Sequence, residues 1–251
     1  MDAPFIRFVE VHKAFGSKPV LRGITLDIRR GETLVVLGGS GSGKSVLLRH
    51  IIGLHKPDKG RVIVDGEDIV AYDEEELIPV RKKVAMLFQA GALFDSMTVA
   101  ENVGYGLREH TDLSEDAIAS RVREKLAMVE LPGVEELMPS ELSGGMRKRV
   151  ALARSIAMDP SCILYDEPTT GLDPVTAGTI NDLIRSMQAR LSVTSVVVTH
   201  DIDSAFFVGD RVAFLYEGRM EFVGTIDEAR HASTPTLRTF LSGGREARRG
   251  A

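Results

Sequence analysis

The sequence predicts an α/β fold built on a parallel sheet, and three observations carry that expectation. Short, doubly apolar runs such as TLVVLG and SCILYD read as strands buried on both faces. Apolar stripes of helical period follow several of these runs. Between Phe88 and Pro160 the pattern turns helical, so a mostly helical lobe is expected across approximately 89–159, inserted in the sheet domain.

In chain order, FIRFVEVHKAF and VLRGITLDIRR alternate apolar and polar positions and read as strands joined by a turn at Gly16-Ser17-Lys18-Pro19. TLVVLG then runs into the glycine-rich GGSGSGKS. SVLLRHIIGL continues as a helix that Gly53 ends, with Pro57 just beyond. RVIVDG, KKVAMLF, SCILYD, TSVVVTH and DRVAFLYEG are further strands, bounded by Gly, Asp or Pro. In the helical stretch, Ser114 suits an N-cap, and Ile118, Val122, Leu126 and Val129 form one stripe. A second helix starts after Asp173-Pro174, the Asp capping and the Pro at the first helical position, with Ile180, Leu183, Ile184, Met187 and Leu191 as its buried face. One domain over 1–240 is expected, followed by a short basic tail at 241–251.

Composition narrows the function classes. The chain has 251 residues, 43% of them hydrophobic and 27% charged, which excludes wholesale disorder. Its single cysteine, Cys162, excludes a disulfide framework and a thiolate metal cluster. The 31 basic and 36 acidic side chains leave a formal charge of −5, which argues against nucleic acid as a partner. No apolar run approaches the roughly 20 residues of a bilayer span, and MDAPFIRFVEVHK lacks the apolar stretch of a signal peptide. A soluble, cytosolic protein is expected.

The strongest local motif is Gly38-Gly39-Ser40-Gly41-Ser42-Gly43-Lys44-Ser45, which fits G-x-x-x-x-G-K-[ST]. Glycines there let the backbone wrap a phosphate chain with its N–H groups pointing inward, and the following helix adds its positive end. Lys44 would reach the β- and γ-phosphates, and the Ser45 hydroxyl would ligate Mg²⁺. A merely flexible Gly-Ser loop would not need the buried strand before it and the helix after it. Asp166-Glu167 ends the apolar strand Ile163–Tyr165. Alone, the pair fits a strand running into a solvated turn. Beside a phosphate loop, Asp166 fits a Mg²⁺ site and Glu167 a general base for water. Leu142-Ser143-Gly144-Gly145-Met146 opens another helix, with Ser143 as N-cap and two glycines that admit a bulky anion. Arg147, Lys148 and Arg149 behind it read as a solvated basic face. By themselves His200, at a strand end, and Gln89 carry no function, and Phe15 could face a purine but fits a core position better.

The order of these motifs says more than any one of them. GGSGSGKS, Phe88-Gln89, LSGGM, ILYDEP, Gly171-Leu172-Asp173 and Val198-Thr199-His200 in one chain resemble the nucleotide-binding domain of ABC transporters, from about residue 5 to about 225. The resemblance implies a P-loop NTPase fold with a RecA-like core, an N-terminal antiparallel β subdomain and an inserted helical subdomain. It also implies ATP and Mg²⁺ as cofactors. Gly38–Ser45 then corresponds to the Walker A loop, Asp166 and Glu167 to Walker B, and Gln89 to the residue that senses the γ-phosphate and joins Ser45 and Asp166 at the metal. Ser143, Gly144 and Gly145 correspond to the signature, Asp173 to the D-loop, His200 to the switch histidine, and Phe15 to an adenine-stacking aromatic. Because such domains pair head to tail, the signature would act on ATP held by a second copy, which makes a homodimer the working unit. The signature departs from the family at Met146, where Gln is usual. Ser143 and both glycines remain, so hydrolysis is still expected.

LSGGM, ELMPSELSGGM and MLFQAGALFDSMTVAENVGYGLREHTDL are similar to the subgroup serving Mla-type phospholipid transport for outer-membrane lipid asymmetry, whose relatives are described as toluene-tolerance ATPases. That similarity implies peripheral attachment at the cytoplasmic face of the inner membrane. It also implies transmembrane permease subunits, a STAS-domain protein and an Mce-domain lipid-binding protein as partners. Competing readings are an ABC ATPase for polar amino acids or organic solvents, a soluble non-transport ABC ATPase, and a catalytically dead subunit. One Walker A, the acidic balance and the filled hydrolytic positions weigh against the last two.

Overall fold

In the computed structural model, residues 3–243 are described, so the predicted basic tail lies outside the described residues from position 244 onward. Strands β1 (Ile6–Phe15) and β2 (Lys18–Ile28) form the expected hairpin. Phe15 pairs with Lys18, so the turn is the two residues Gly16-Ser17 rather than the four predicted, and Gly16 takes the positive φ of 58° that it requires. Pro19 lies within β2, an edge strand of its sheet, where a missing N–H breaks no ladder bond.

After β3 (Thr33–Leu37) come α1 (Lys44–Ile51), β4 (Lys59–Val64), β5 (Glu67–Asp68), α2 (Leu77–Lys83) and β6 (Val84–Leu87). The predicted strand KKVAMLF is therefore shorter. Arg81, Lys82 and Lys83 close α2, where cations suit the negative helix end. Between residues 89 and 159 lie α3 (Val99–His110), α4 (Glu115–Met128) and α5 (Gly144–Ser155). Thr98 and Glu101 cap α3 reciprocally, and Ser114 caps α4 as its sequence predicts. The chain continues through β7 (Cys162–Asp166), α6 (Pro174–Leu191), β8 (Thr194–Thr199), α7 (Ile202–Val208), β9 (Arg211–Tyr216), β10 (Arg219–Thr225), α8 (Ile226–Arg230) and α9 (Pro235–Leu241). Sequence periodicity did not reveal α2, α7, α8, α9 or β10, which are short or mostly exposed.

Among the described residues the strands form two sheets, β2-β1-β4-β5, which is antiparallel, and β10-β9-β3-β8-β7-β6. In the second, β9, β3, β8, β7 and β6 run parallel and β10 is antiparallel. Side chains alternate across this sheet and divide the core in two. Leu34, Val36, Leu164, Val196 and Val198 face α1, α2 and the antiparallel sheet. Val35, Leu37, Ile163, Tyr165 and Val197 face α3–α7, where the predicted stripes of α4 and α6 are buried. Because β3, β8, β7 and β6 are adjacent and parallel, the residues following all four lie along one sheet edge.

Candidate functional site

The loop after β3 is built around its glycines. A Cβ at Gly38 would lie 2.4 Å from the Leu215 carbonyl oxygen and 2.7 Å from Ser42 Oγ, so no other residue fits there. Gly41 and Gly43 take φ values of 78° and 107°. No side chain caps the start of α1, which leaves its first N–H groups available to an anion. Lys44 is only 6% exposed, yet its ammonium turns back into the loop, donating to the Gly38 and Gly39 carbonyls at 2.9 and 3.2 Å. Its neighbour Ser45 donates through Oγ to Asp166 Oδ1 at 2.7 Å.

Glu167 follows the end of β7 at a φ of 49°, held by its own amide donating to the Val198 carbonyl at 2.9 Å. Its Oε1 stands 3.2 Å from Lys44 Nζ. Its Oε2 accepts from His200 Nδ1 at 2.9 Å and from Thr170 Oγ1 at 3.2 Å. Burial pushes this carboxyl upward, but the His200 hydrogen bond and the Lys44 charge outweigh it and hold Glu167 below the usual carboxylate range. The site thus assembles an ionised, buried carboxylate, a buried cation and a serine–aspartate pair beside a backbone cradle.

The remaining predicted residues fall into different places. Gln89 follows β6 in a turn, its side chain exposed, on the strand next to the one that leads to Glu167. Ser143 caps α5 by accepting from the Met146 amide at 3.2 Å. A Cβ on Gly145 would come within 2.5 Å of Thr176 Cγ2, in the first turn of α6. Asp173 caps that turn, accepting from the Val175 and Thr176 amides at 3.0 and 3.1 Å. The segments 143–145 and 173–176 therefore pack together, and among the described residues no hydrogen bond joins them to 38–45. Phe15 is not a core residue: it is 46% exposed.

A second expectation is overturned beside that core reading of Phe15. Lys148 is buried rather than solvated, and its ammonium donates to the Gln89 carbonyl. Burial pulls it below the ordinary lysine range. Arg154, further along α5, donates to the Gly91 and Ala92 carbonyls at 3.1 and 2.9 Å. Sequence reasoning missed this pair, although Lys148 stands three and four positions before apolar Ala151 and Leu152, on the buried face of α5.

Open parallel sheets bind ligands beyond the carboxyl ends of their strands. Here that edge ends in a cradle shaped for a phosphate chain, which is the architecture of P-loop nucleotide-binding proteins. The family model described as ABC transporter matches residues 21–170, and the chain belongs to that family, with its ATP-binding domain. It is 43% identical to the intermembrane phospholipid transport system ATP-binding protein MlaF of Escherichia coli, over 91% of this chain and 85% of that protein. It is equally 43% identical to the probable ribonucleotide transport ATP-binding protein mkl of Mycobacterium tuberculosis, over 93% of this chain. The chain spans only 65% of the length of that mycobacterial relative. Among solved structures, the dimeric ATP-binding cassette MJ0796 in a post-hydrolysis state with ADP and Pi superposes with a TM-score of 0.82 at 35% identity. That superposition covers 88% of this chain and 98% of the other. Among the described residues no helix is long and apolar enough to cross a membrane.

Proposed function

We propose that residues 1–240 form one ABC ATPase domain, the ATP-hydrolysing subunit of a phospholipid transporter. The observation that carries hydrolysis is Glu167, an ionised carboxylate held between Lys44 and His200 beside the phosphate cradle. Backbone N–H groups of 38–45 bind the triphosphate, and Phe15 stacks on the base. Ser45 and Asp166, with Gln89, are hard oxygen donors suited to Mg²⁺, which when bound neutralises charge on the β- and γ-phosphates.

Lys44 exchanges its contact with Glu167 for phosphate oxygens when ATP enters. Glu167 loses a stabilising cation and becomes the stronger base. It takes a proton from the water that attacks the γ-phosphorus, the bond to ADP breaks, and inorganic phosphate leaves. His200 keeps Glu167 oriented throughout. Ser143, Gly144, Gly145 and Asp173 serve the ATP of a second copy, consistent with their separation from the loop of their own chain. Gln89 reports the state of the site to a transmembrane permease.

Phospholipid cargo is supported by the likeness to MlaF, which spans 85% of that protein, and by the lobe motifs. It implies attachment to the cytoplasmic face of the inner membrane and a complex with a permease, a STAS-domain protein and an Mce-domain protein. The equal identity to mkl favours ribonucleotide transport as a second reading. Isolation of the intact complex from native membranes, with mass spectrometry of its subunits and small molecules, separates the two. Bound phospholipid and an Mce-domain subunit are the expected result, whereas a lipid-free complex carrying nucleotide cargo would replace the first reading with the second.

A further inference from the structure

Phe15 ends β1, and the adjoining strand ties it to the phosphate loop. A Cβ at Gly43 would lie 3.0 Å from Leu21 and 3.2 Å from Val20, both in β2. The ring itself projects from the core, so core packing does not set its orientation. What touches it comes from the far end of α1. His55, just past that helix, meets the Phe15 ring with centroids 5.3 Å apart and planes at 69°. Next to His55 stands His50, 5.9 Å away at 63°. Lys13 lies 5.6 Å from the Phe15 centroid, its ammonium held by Asp58 at 2.9 Å. Asp58 is itself fixed: its carboxylate accepts from the Ala14 amide at 2.7 Å, and its own amide donates to the His12 carbonyl at 2.8 Å.

His50 is 1% exposed, in the last turn of α1. Its Nδ1 donates to the Val46 carbonyl at 2.7 Å, which leaves Nε2 buried with no hydrogen-bond partner. Burial pushes His50 down to about 4. Burial, with the Arg49 and Lys13 charges, also lowers His55. At neutral pH both rings are uncharged and act as aromatic plates. Edge-to-face pairs of this kind fix orientation as well as adding attraction.

We propose that His55, braced by His50, is a positioning residue that sets the Phe15 ring for the nucleobase. Resting on the reading that Phe15 stacks the base, this gives α1 two roles. Its first residue, Lys44, faces the phosphates, and His50 in its last turn backs His55 just beyond it, so one short helix references the two ends of the nucleotide to each other.

The test is calorimetric titration of the full-length chain with ATP and, separately, with inorganic triphosphate, which has no base. Phe15→Ala is expected to weaken ATP about tenfold and triphosphate by less than about twofold. His55→Leu should weaken ATP about fivefold, again sparing triphosphate, and should add nothing in the Phe15→Ala background. His55→Phe, which keeps a ring at that position, should restore ATP affinity. If Phe15→Ala leaves ATP affinity unchanged, base stacking by Phe15 falls, and the positioning role with it. If Phe15→Ala weakens ATP but His55→Leu does not, only the positioning role falls. Equal losses for ATP and triphosphate in His55→Leu would also overturn it, because general loosening of the loop is then the cause.

Discussion

Glu167 occupies a left-handed backbone conformation, φ 49°, that a side chain with a Cβ rarely adopts. Strain of this kind costs on the order of 1–3 kcal/mol and persists where surrounding bonds over-determine the residue. The Val198, His200 and Thr170 contacts do so here. Against the upward push of burial, the His200 hydrogen bond, together with the Lys44 charge, lowers the Glu167 pKa. Removing the ring in His200→Ala therefore raises that pKa. The acid limb of kcat/KM for ATP should move to higher pH, with a lower plateau, as measured by a pH–rate profile. The sign for stability follows the same way. A depressed carboxylate pKa contributes stability above its unfolded value, and that contribution is lost as pH falls through the folded one. His200→Ala should lose part of this contribution at neutral pH, and a profile identical to wild type would contradict the contact.

At the scale of elements, α5 joins two motifs that lie far apart in the chain. Its N-terminus carries Ser143 and Gly145, and its body carries Lys148 and Arg154, which hold the carbonyls of Gln89, Gly91 and Ala92. The segment 89–92 is therefore tied, through these two side chains, to the helix whose first turn holds Ser143 and Gly145. Lys148→Met keeps the length of the side chain but strands the Gln89 carbonyl. The loss should be about 1–3 kcal/mol of stability, read as a melting midpoint lower by roughly 2–10 °C. ATP turnover should fall further than the stability loss explains. This coupling was not legible in advance, because a run of Arg-Lys-Arg reads as solvent-facing until a partner backbone covers one of its members. Helix α4 was legible, because its stripe Ile118, Val122 and Leu126 keeps its period and is buried as a unit. Short elements such as α7 and α9 were not, since seven residues span too few turns to show a period.

For the whole molecule, the proposed reading assigns Ser143, Gly145 and Asp173 to the ATP of a second copy, and among the described residues none of them is hydrogen-bonded to 38–45 of its own chain. A second copy would complete the site. Glu167→Gln removes the base while keeping the shape of the side chain, so ATP should bind and hydrolysis should slow by about 10²–10⁴. Trapped ATP should then hold two copies together, giving a dimer by sedimentation with ATP and a monomer without it. Wild-type turnover in that variant would contradict the role of Glu167. By itself the sequence determined the glycine-rich loop, the strand that precedes it and the acidic pair at the end of β7. Those features are local, written in glycine spacing and apolar runs that need no distant partner to be read. Only the tertiary structure decided that Lys44 is shared between the loop and Glu167, that Lys148 is buried against Gln89, and that Phe15 leans on His55. Each of those joins residues between 40 and 123 positions apart, and burial, which sets charge state and orientation, is a property of the packed fold rather than of any segment.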